Sequence, residues 1–186
     1  EYEKWSSPAF DLTISNTQIT PNIRYKLDRL TFNLGSQISV LDNKNNEDLR
    51  LVPDASSLNI GPYFILDYEK NNFGYNSGIR YDYKSLKSED KISNVIYDNE
   101  FSNTSFSTGV FYKFNDNVFR LTYSGAFRAP HFSELFSDGV HHGTNRYELG
   151  NQNLDIEYAS QYEFKYQWSN EHFGFVLNPF LQNISD

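Results

Sequence analysis

Along most of the chain apolar and polar residues alternate with a period of two, the pleat of a strand, and not with the period of about 3.6 that marks a helix. Between Phe73 and Lys84 the residues Phe73, Tyr75, Ile79, Tyr81 and Tyr83 fall on one face, opposite Gly74, Asn76, Gly78, Arg80, Asp82 and Lys84. The pattern returns from Ile156 to Trp168, where Ile156, Tyr158, Tyr162, Phe164, Tyr166 and Trp168 oppose Glu157, Gln161, Glu163, Lys165 and Gln167. Weaker versions run through Leu30 to Val40, Leu58 to Tyr68, Phe106 to Phe114, Phe119 to Tyr123 and Phe173 to Leu181, with an opening strand over Thr17 to Leu27.

The connections are of two kinds. Asp28-Arg29, Asn71-Asn72, Asn115-Asp116-Asn117 and Asn170-Glu171 are short and made of residues that tolerate hairpin geometry. Asp42 to Ser56, Ser85 to Asn103 and Phe127 to Asp155 are long and polar. Short turns at one end and long loops at the other are the asymmetry of a transmembrane barrel, whose tilted strands need roughly ten residues to cross. The expected fold is all-β, an antiparallel meander crossing about eight times and forming part of a larger transmembrane β-barrel.

A soluble antiparallel sandwich also alternates. Composition separates the two: 14 Tyr, 16 Phe and 2 Trp in 186 residues supply the apolar positions, where a soluble core prefers Val, Ile and Leu. The net charge of -8 and the lack of clustered Lys and Arg exclude nucleic acid as a partner. There is no cysteine, hence no disulfide, thiolate metal site or Cys nucleophile. No apolar run of about 18 residues occurs, so no membrane-spanning helix is expected. With no signal peptide or initiating Met before Glu1, and a strand-like Asn183-Ile184-Ser185-Asp186 at the other end, the chain is expected to be a section of a longer protein.

Enzyme signatures are not found: there is no Gly-x-Ser-x-Gly elbow, no His-Glu-x-x-His and no phosphate loop. Glu157 and Glu163 share a strand face but lie along a polar wall, without the pocket that paired catalytic carboxylates need.

Two boxes in order carry a resemblance. Phe127-Arg128-Ala129-Pro130, followed by Glu134-Leu135-Phe136, stands at the top of one strand, and Gly150-Asn151-Gln152-Asn153-Leu154 leads into the next. The chain resembles the TonB-dependent receptors of the Gram-negative outer membrane, above all the haem and zinc importers, which have a Phe-Arg-Ala-Pro box and an Asn-Pro-Asn-Leu box there. Gln152 departs from that pattern, standing where the family usually has Pro. Asp138 to Glu148, with its His141-His142 pair, and Leu51 to Ala55 resemble the zinc-receptor-like branch. The specific motifs lie between about Arg120 and Pro179.

The resemblance implies a barrel of about 22 strands, an internal plug and energy supplied through TonB. Residues 1–186 would then be a partial barrel domain, without the plug and the C-terminal strands. The function implied is uptake of a scarce metal or metal complex, zinc or haem ahead of a siderophore, with a passive channel or a soluble binding module as the alternatives. The expected partners are outer-membrane lipid, TonB through the plug, and the metal or metal chelate, which is cargo and not a resident cofactor.

Candidate ligands are His131, His141, His142 and Asp138, since imidazole with carboxylate suits Zn²⁺ and imidazole also suits haem iron. The plainer reading is that they are solvated loop residues. Arg128 and Glu134 form a candidate pair fixing the loop to the wall, while Pro130 keeps Ala129 extended. Arg80, Asp82, Lys84, Glu157 and Glu163 are expected to line the lumen.

Overall fold

A computed structural model describes residues 11–46, 53–90, 95–141 and 146–185. Twelve strands and one short helix follow in order among them: β1 Leu12–Ile19, β2 Asn22–Leu27, β3 Leu30–Asn45, β4 Asp54–Lys70, β5 Phe73–Asp90, β6 Val95–Phe114, β7 Asn117–Arg128, α1 Phe132–Phe136, β8 Asp138–His141, β9 Arg146–Leu149, β10 Glu157–Ser169, β11 Gly174–Leu177 and β12 Phe180–Ser185. All but β8 and β9 form one antiparallel ten-stranded sheet, and those two make a separate hairpin.

The ten strands make the eight crossings expected from the sequence. β1 and β2 both pair with β3 in a single register, separated only at Thr20-Pro21. β11 and β12 share one register on β10 in the same way, separated at Asn178-Pro179. Proline has no N–H to give the ladder, but its carbonyl still accepts: Ser36 N donates to Pro21 O at 3.0 Å and Phe164 N to Pro179 O at 3.1 Å. Pro62 leaves the same mark inside the sheet, where Gly61 and Pro62 pair with β3 while the ladder to β5 skips both.

Because partners across a ladder share a face, the alternation of single strands adds up to two continuous surfaces. One carries Leu34, Phe64, Ile79, Phe106, Gly125 and Ser160 in one row, and Val110, Leu121 and Phe164 in another. Its residues have no protein over them: Leu34 is 58% exposed, Ile79 53% and Leu121 58%. The opposite surface carries the polar set, including Arg80, Asp82, Lys84, Glu157 and Glu163.

The short turns are set by residues that accept a left-handed backbone. Asp28, Asn71 and Asn115 have φ of 52°, 54° and 50°. The expected three-residue turn at Asn115 is shorter by one: Asn117 opens β7, and its side-chain amide closes the hairpin by donating to Phe114 O at 3.1 Å. The turn after β10 is longer than expected, with Asn170 Oδ1 accepting from the backbone of His172 and Phe173.

The long polar stretches depart most from expectation. β3 to β6 run for 16, 17, 18 and 20 residues, so strands reach into Asp42 to Ser56 from both ends and occupy most of Ser85 to Asn103. Past the apolar band the continuation of that face is polar and the ladder persists on its backbone hydrogen bonds, while Leu86 and Ser88 on the other face are buried. Ion pairs such as Lys87–Asp98, at 3.1 Å, decorate it. The stretch from Phe127 to Asp155 is also no plain loop, since it holds α1 and the β8–β9 hairpin.

Candidate functional site

The only cluster of buried apolar residues described lies at the long-loop end, on the polar surface of the sheet. Ala55, Leu86 and Phe101 from β4, β5 and β6 meet Phe132, Leu135 and Phe136 of α1, flanked by Leu41, Tyr97, Ala129 and Ile156. Leu135 and Leu86 are each 1% exposed, and the Tyr97 and Phe136 rings stack with centroids 5.2 Å apart. A five-residue helix has no stability of its own, so packing and capping hold it.

The capping is supplied by the first box and its sequel. His131 is the N-cap: its Nδ1 accepts from Ser133 N at 3.4 Å, and its own N–H donates to Glu134 Oε2 at 2.8 Å, which completes a reciprocal capping box. Arg128, the last residue of β7, joins the helix to the sheet. Its Nη1 donates to both Glu134 oxygens at 3.0 and 2.8 Å, and its Nε to Glu157 of β10 at 2.8 Å. From β5, Lys84 Nζ donates to Pro130 O at 2.9 Å.

The second box closes the loop from the other side. Gly150 N donates to Ser137 O at 2.6 Å and Asn151 N to Glu134 O at 2.9 Å. A Cβ on Gly150 would stand 2.6 Å from Leu135 C and O and from Phe136 N, so only glycine lets the helix backbone lie here. Asn151 Oδ1 accepts from Asn153 N at 3.0 Å, an Asx turn that forms around Gln152 without the proline expected at that place. The two boxes are thus halves of one structural unit.

The other candidates lie apart from it. Arg80 and Asp82 pair with each other at 2.6 Å across the surface of Gly61, where a Cβ would collide with the guanidinium. Glu163 accepts from Gln161 Nε2 at 3.2 Å. Asp138 accepts from the Tyr147 hydroxyl across the β8–β9 hairpin. The backbone of His141 pairs with Arg146 there, while its side chain and the whole of His142 lie outside the described residues. Among the described residues no three His, Asp or Glu side chains are grouped to hold a metal ion. Sequence reading passed over Ser133 and the Tyr97–Phe136 stack, although Phe132, Leu135 and Phe136 at i, i+3 and i+4, with Glu134 three residues after His131, were signals of a short capped helix.

Among the groups of the unit with shifted acidity, two form the helix cap. The Arg128 guanidinium and the His131 N–H hold the Glu134 carboxyl below its ordinary value. Burial, with the charge of Lys84 added, lowers the His131 imidazole. Both shifts have the same sign of consequence: the folded loop favours the deprotonated form, so its stability is full above the ordinary values and is lost as pH falls. Protonating Nδ1 also removes the acceptor that caps the helix. Acidifying below about 6.5, and then through the carboxylate range near about 4, should loosen α1 in two stages. Amide exchange at residues 132–137 of the full-length protein checks this, and equal protection at both ends of that range would contradict it.

Comparison with known proteins agrees with this architecture. A family profile described as TonB dependent receptor-like, beta-barrel, matches residues 4–186. No curated protein matches the chain. Among solved structures, the chain is similar to the copper transporter OprC, with a TM-score of 0.78 at 14% identity over 94% of this chain and 30% of that one. It is similar to the FrpB iron transporter from Neisseria meningitidis (F3-3 variant), with a TM-score of 0.73 at 16% identity over 95% of this chain and 29% of that one. The hemophore receptor HasR of Serratia marcescens, solved with its hemophore HasA and heme, gives 0.67 at 14% identity over 93% of this chain and 33% of that one. At these identities the likeness is one of fold, and the chain spans about 30% of the length of the first of these structures. With the profile covering nearly every residue, and the eight-crossing sheet carrying one uncovered apolar face, the chain belongs to the TonB-dependent receptor family as a section of the β-barrel wall in the Gram-negative outer membrane.

Proposed function

We propose that this section of wall serves a receptor importing a scarce metal or metal complex, zinc or haem ahead of a siderophore, driven by TonB through a plug outside this sequence. The apolar face meets lipid in this reading, and the polar face, with Arg80, Asp82, Glu157 and Glu163, lines the lumen. Lys84 lies on the same face, but its ammonium holds Pro130. Packed on that face, α1 lies inside the mouth, and the hairpin carrying Asp138 and His141 continues from it.

The observation that carries the reading is this placement of a histidine-bearing segment, clamped by Arg128 and Gly150, at the long-loop end of the wall. Capping occupies Nδ1 of His131 and leaves Nε2 for a ligand. Of the two favoured cargoes, haem suits the hairpin better: Val140, Tyr147 and Leu149 share one of its sides and are 42%, 66% and 76% exposed, an apolar surface for a porphyrin. The relatives' own cargoes, copper, iron and heme by their descriptions, are of the same chemical class.

The test is binding of Zn²⁺ and of haem to the full-length receptor in outer-membrane vesicles, with His131, His141 and His142 replaced together by Ala. Loss of one ligand, by tenfold or more for an axial or first-sphere imidazole at about 1.4 kcal/mol per decade, names the cargo. Undiminished binding of both returns His141 and His142 to solvated loop residues and leaves His131 its capping role alone.

A further inference from the structure

A groove runs along the apolar face where β6, β7, β10 and β12 lie side by side, lined by Thr108, Val110, Leu121, Tyr162, Phe164 and Leu181 among others. Two ladder rows make it. In one, Thr108 is followed by Tyr123, Tyr162 and Leu181, and in the other Val110 by Leu121, Phe164 and Pro179. The small Thr108 side chain leaves the hollow, and the Tyr123 and Tyr162 rings, stacked 4.5 Å apart at 24°, form a stiff wall.

The stacked phenols beside a hollow set this groove apart from the rest of the face. Some tyrosine hydroxyls on the face have partners, as where Thr108 Oγ1 donates to Tyr75 OH at 3.2 Å and Tyr166 OH to Asn117 Oδ1 at 2.8 Å, and others, Tyr81 and Tyr112 among them, have none among the described residues. Tyr123 and Tyr162 have no hydrogen-bond partner among the described residues. Their depth follows from the fold. Tyr162 stands eight residues before the turn at Asn170, and Tyr123 seven after Asp116. At roughly 2.5 Å of height per residue in a tilted strand, both lie about 20 Å above the periplasmic turns, in the upper part of an apolar band about 25 Å tall. Hydroxyls there meet hydrocarbon just below the ester level of the outer leaflet, where an unbonded hydroxyl is costly.

We propose that the groove is a binding site for an ester-linked acyl chain of an outer-leaflet lipid, held against the Tyr123–Tyr162 wall with its ester oxygen accepting from a phenol. The site is continuous with the lipid face of the wall, so its occupant comes from the surrounding membrane. The chain is already in hydrocarbon, and its preference for the groove comes from dispersion contacts with a shaped, rigid surface and from the hydrogen bond. The inference rests on the membrane orientation of the wall and not on the cargo, and the histidine experiment leaves it unaffected.

Full-length receptor reconstituted in phosphatidylethanolamine vesicles, with a trace of phosphatidylethanolamine carrying a diazirine in its acyl chain, tests it by photolabelling and peptide mapping. Labelling at the groove should exceed that at Leu34 and Leu66, on the same face of β3 and β4, by about tenfold, the ratio given by about 1.4 kcal/mol. Val110→Trp, which fills the hollow, should abolish the excess and leave the β3–β4 labelling intact, with heat-modifiable gel mobility confirming a folded barrel. Equal labelling of both regions in the unaltered protein, or an excess that survives Val110→Trp, overturns the site. An excess unchanged when Tyr123 and Tyr162 are both replaced by Phe overturns the role given to the phenols.

Discussion

Gly150→Ala is expected to lift α1 from the wall. The added methyl would stand 2.6 Å from three backbone atoms of Leu135 and Phe136, and backbone has no rotamer with which to yield. Either the helix or the strand-entry segment must move. Moving either breaks the bonds from Gly150 N to Ser137 O and from Asn151 N to Glu134 O. Overpacking of this kind costs about 1–3 kcal/mol. Amides 132–137 in the full-length receptor should therefore exchange about tenfold faster or more, and trypsin should cut more readily after Arg128 and Arg146. The barrel ladders should keep their protection, since none of them passes through Gly150. An unchanged exchange pattern would show that the second box does not hold the first.

The second large effect is expected from Leu135→Ala. Leu135 is 1% exposed in a cluster of only six buried residues, so the cavity it leaves has few neighbours able to close it. A loss of about 2–5 kcal/mol is the usual range for such a truncation, and beyond this cluster the helix is held only by its cap, the Arg128 clasp and a few hydrogen bonds from Lys84, Gly150 and Asn151. The loss should appear as local opening of the segment from His131 to Asn151, read by exchange and by proteolysis. Leu154→Ala is the matched control: Leu154 is 39% exposed, so the change should stay within about 0.5 kcal/mol. Equal effects at the two leucines would mean that the cluster does not anchor the loop.

How far the fold was legible depended on what each strand face meets. Phe73 to Lys84 was clear because Phe73, Ile79 and Tyr81 lie on the apolar face while Asn76, Arg80 and Asp82 lie on the polar one. Over the next six residues of the same strand the signal vanishes. Ser85, Lys87 and Glu89 continue the apolar face beyond its band, with Leu86 and Ser88 behind them, and no alternation remains to read. The ladder is carried there by backbone groups, which every sequence has. The breaks at Pro21 and Pro179 were hidden for the converse reason: their strands keep register on both sides, so the pattern of faces runs straight through.

In the candidate site, the Arg128–Glu134 pair was legible from the box and its spacing. The third member, Glu157, was read as lumen lining, because its pairing with Arg128 depends on the β7–β10 register and not on nearness in sequence. The bond from Lys84 to Pro130 was hidden on the same ground, the two lying 46 residues apart. α1 escaped although Phe132, Leu135 and Phe136 trace its single turn, because five residues never repeat the period.

Each main ladder among the described residues holds a single register from end to end, even where proline interrupts it. A machine built this way has a stator. No extra residue offers a place for the wall to hinge, and sliding one strand by a single residue would turn its apolar side chains into the lumen. If the proposed reading holds, work delivered from the inner membrane would not flex this part of the wall, leaving the movement to what the barrel encloses and to the capped loop at its rim.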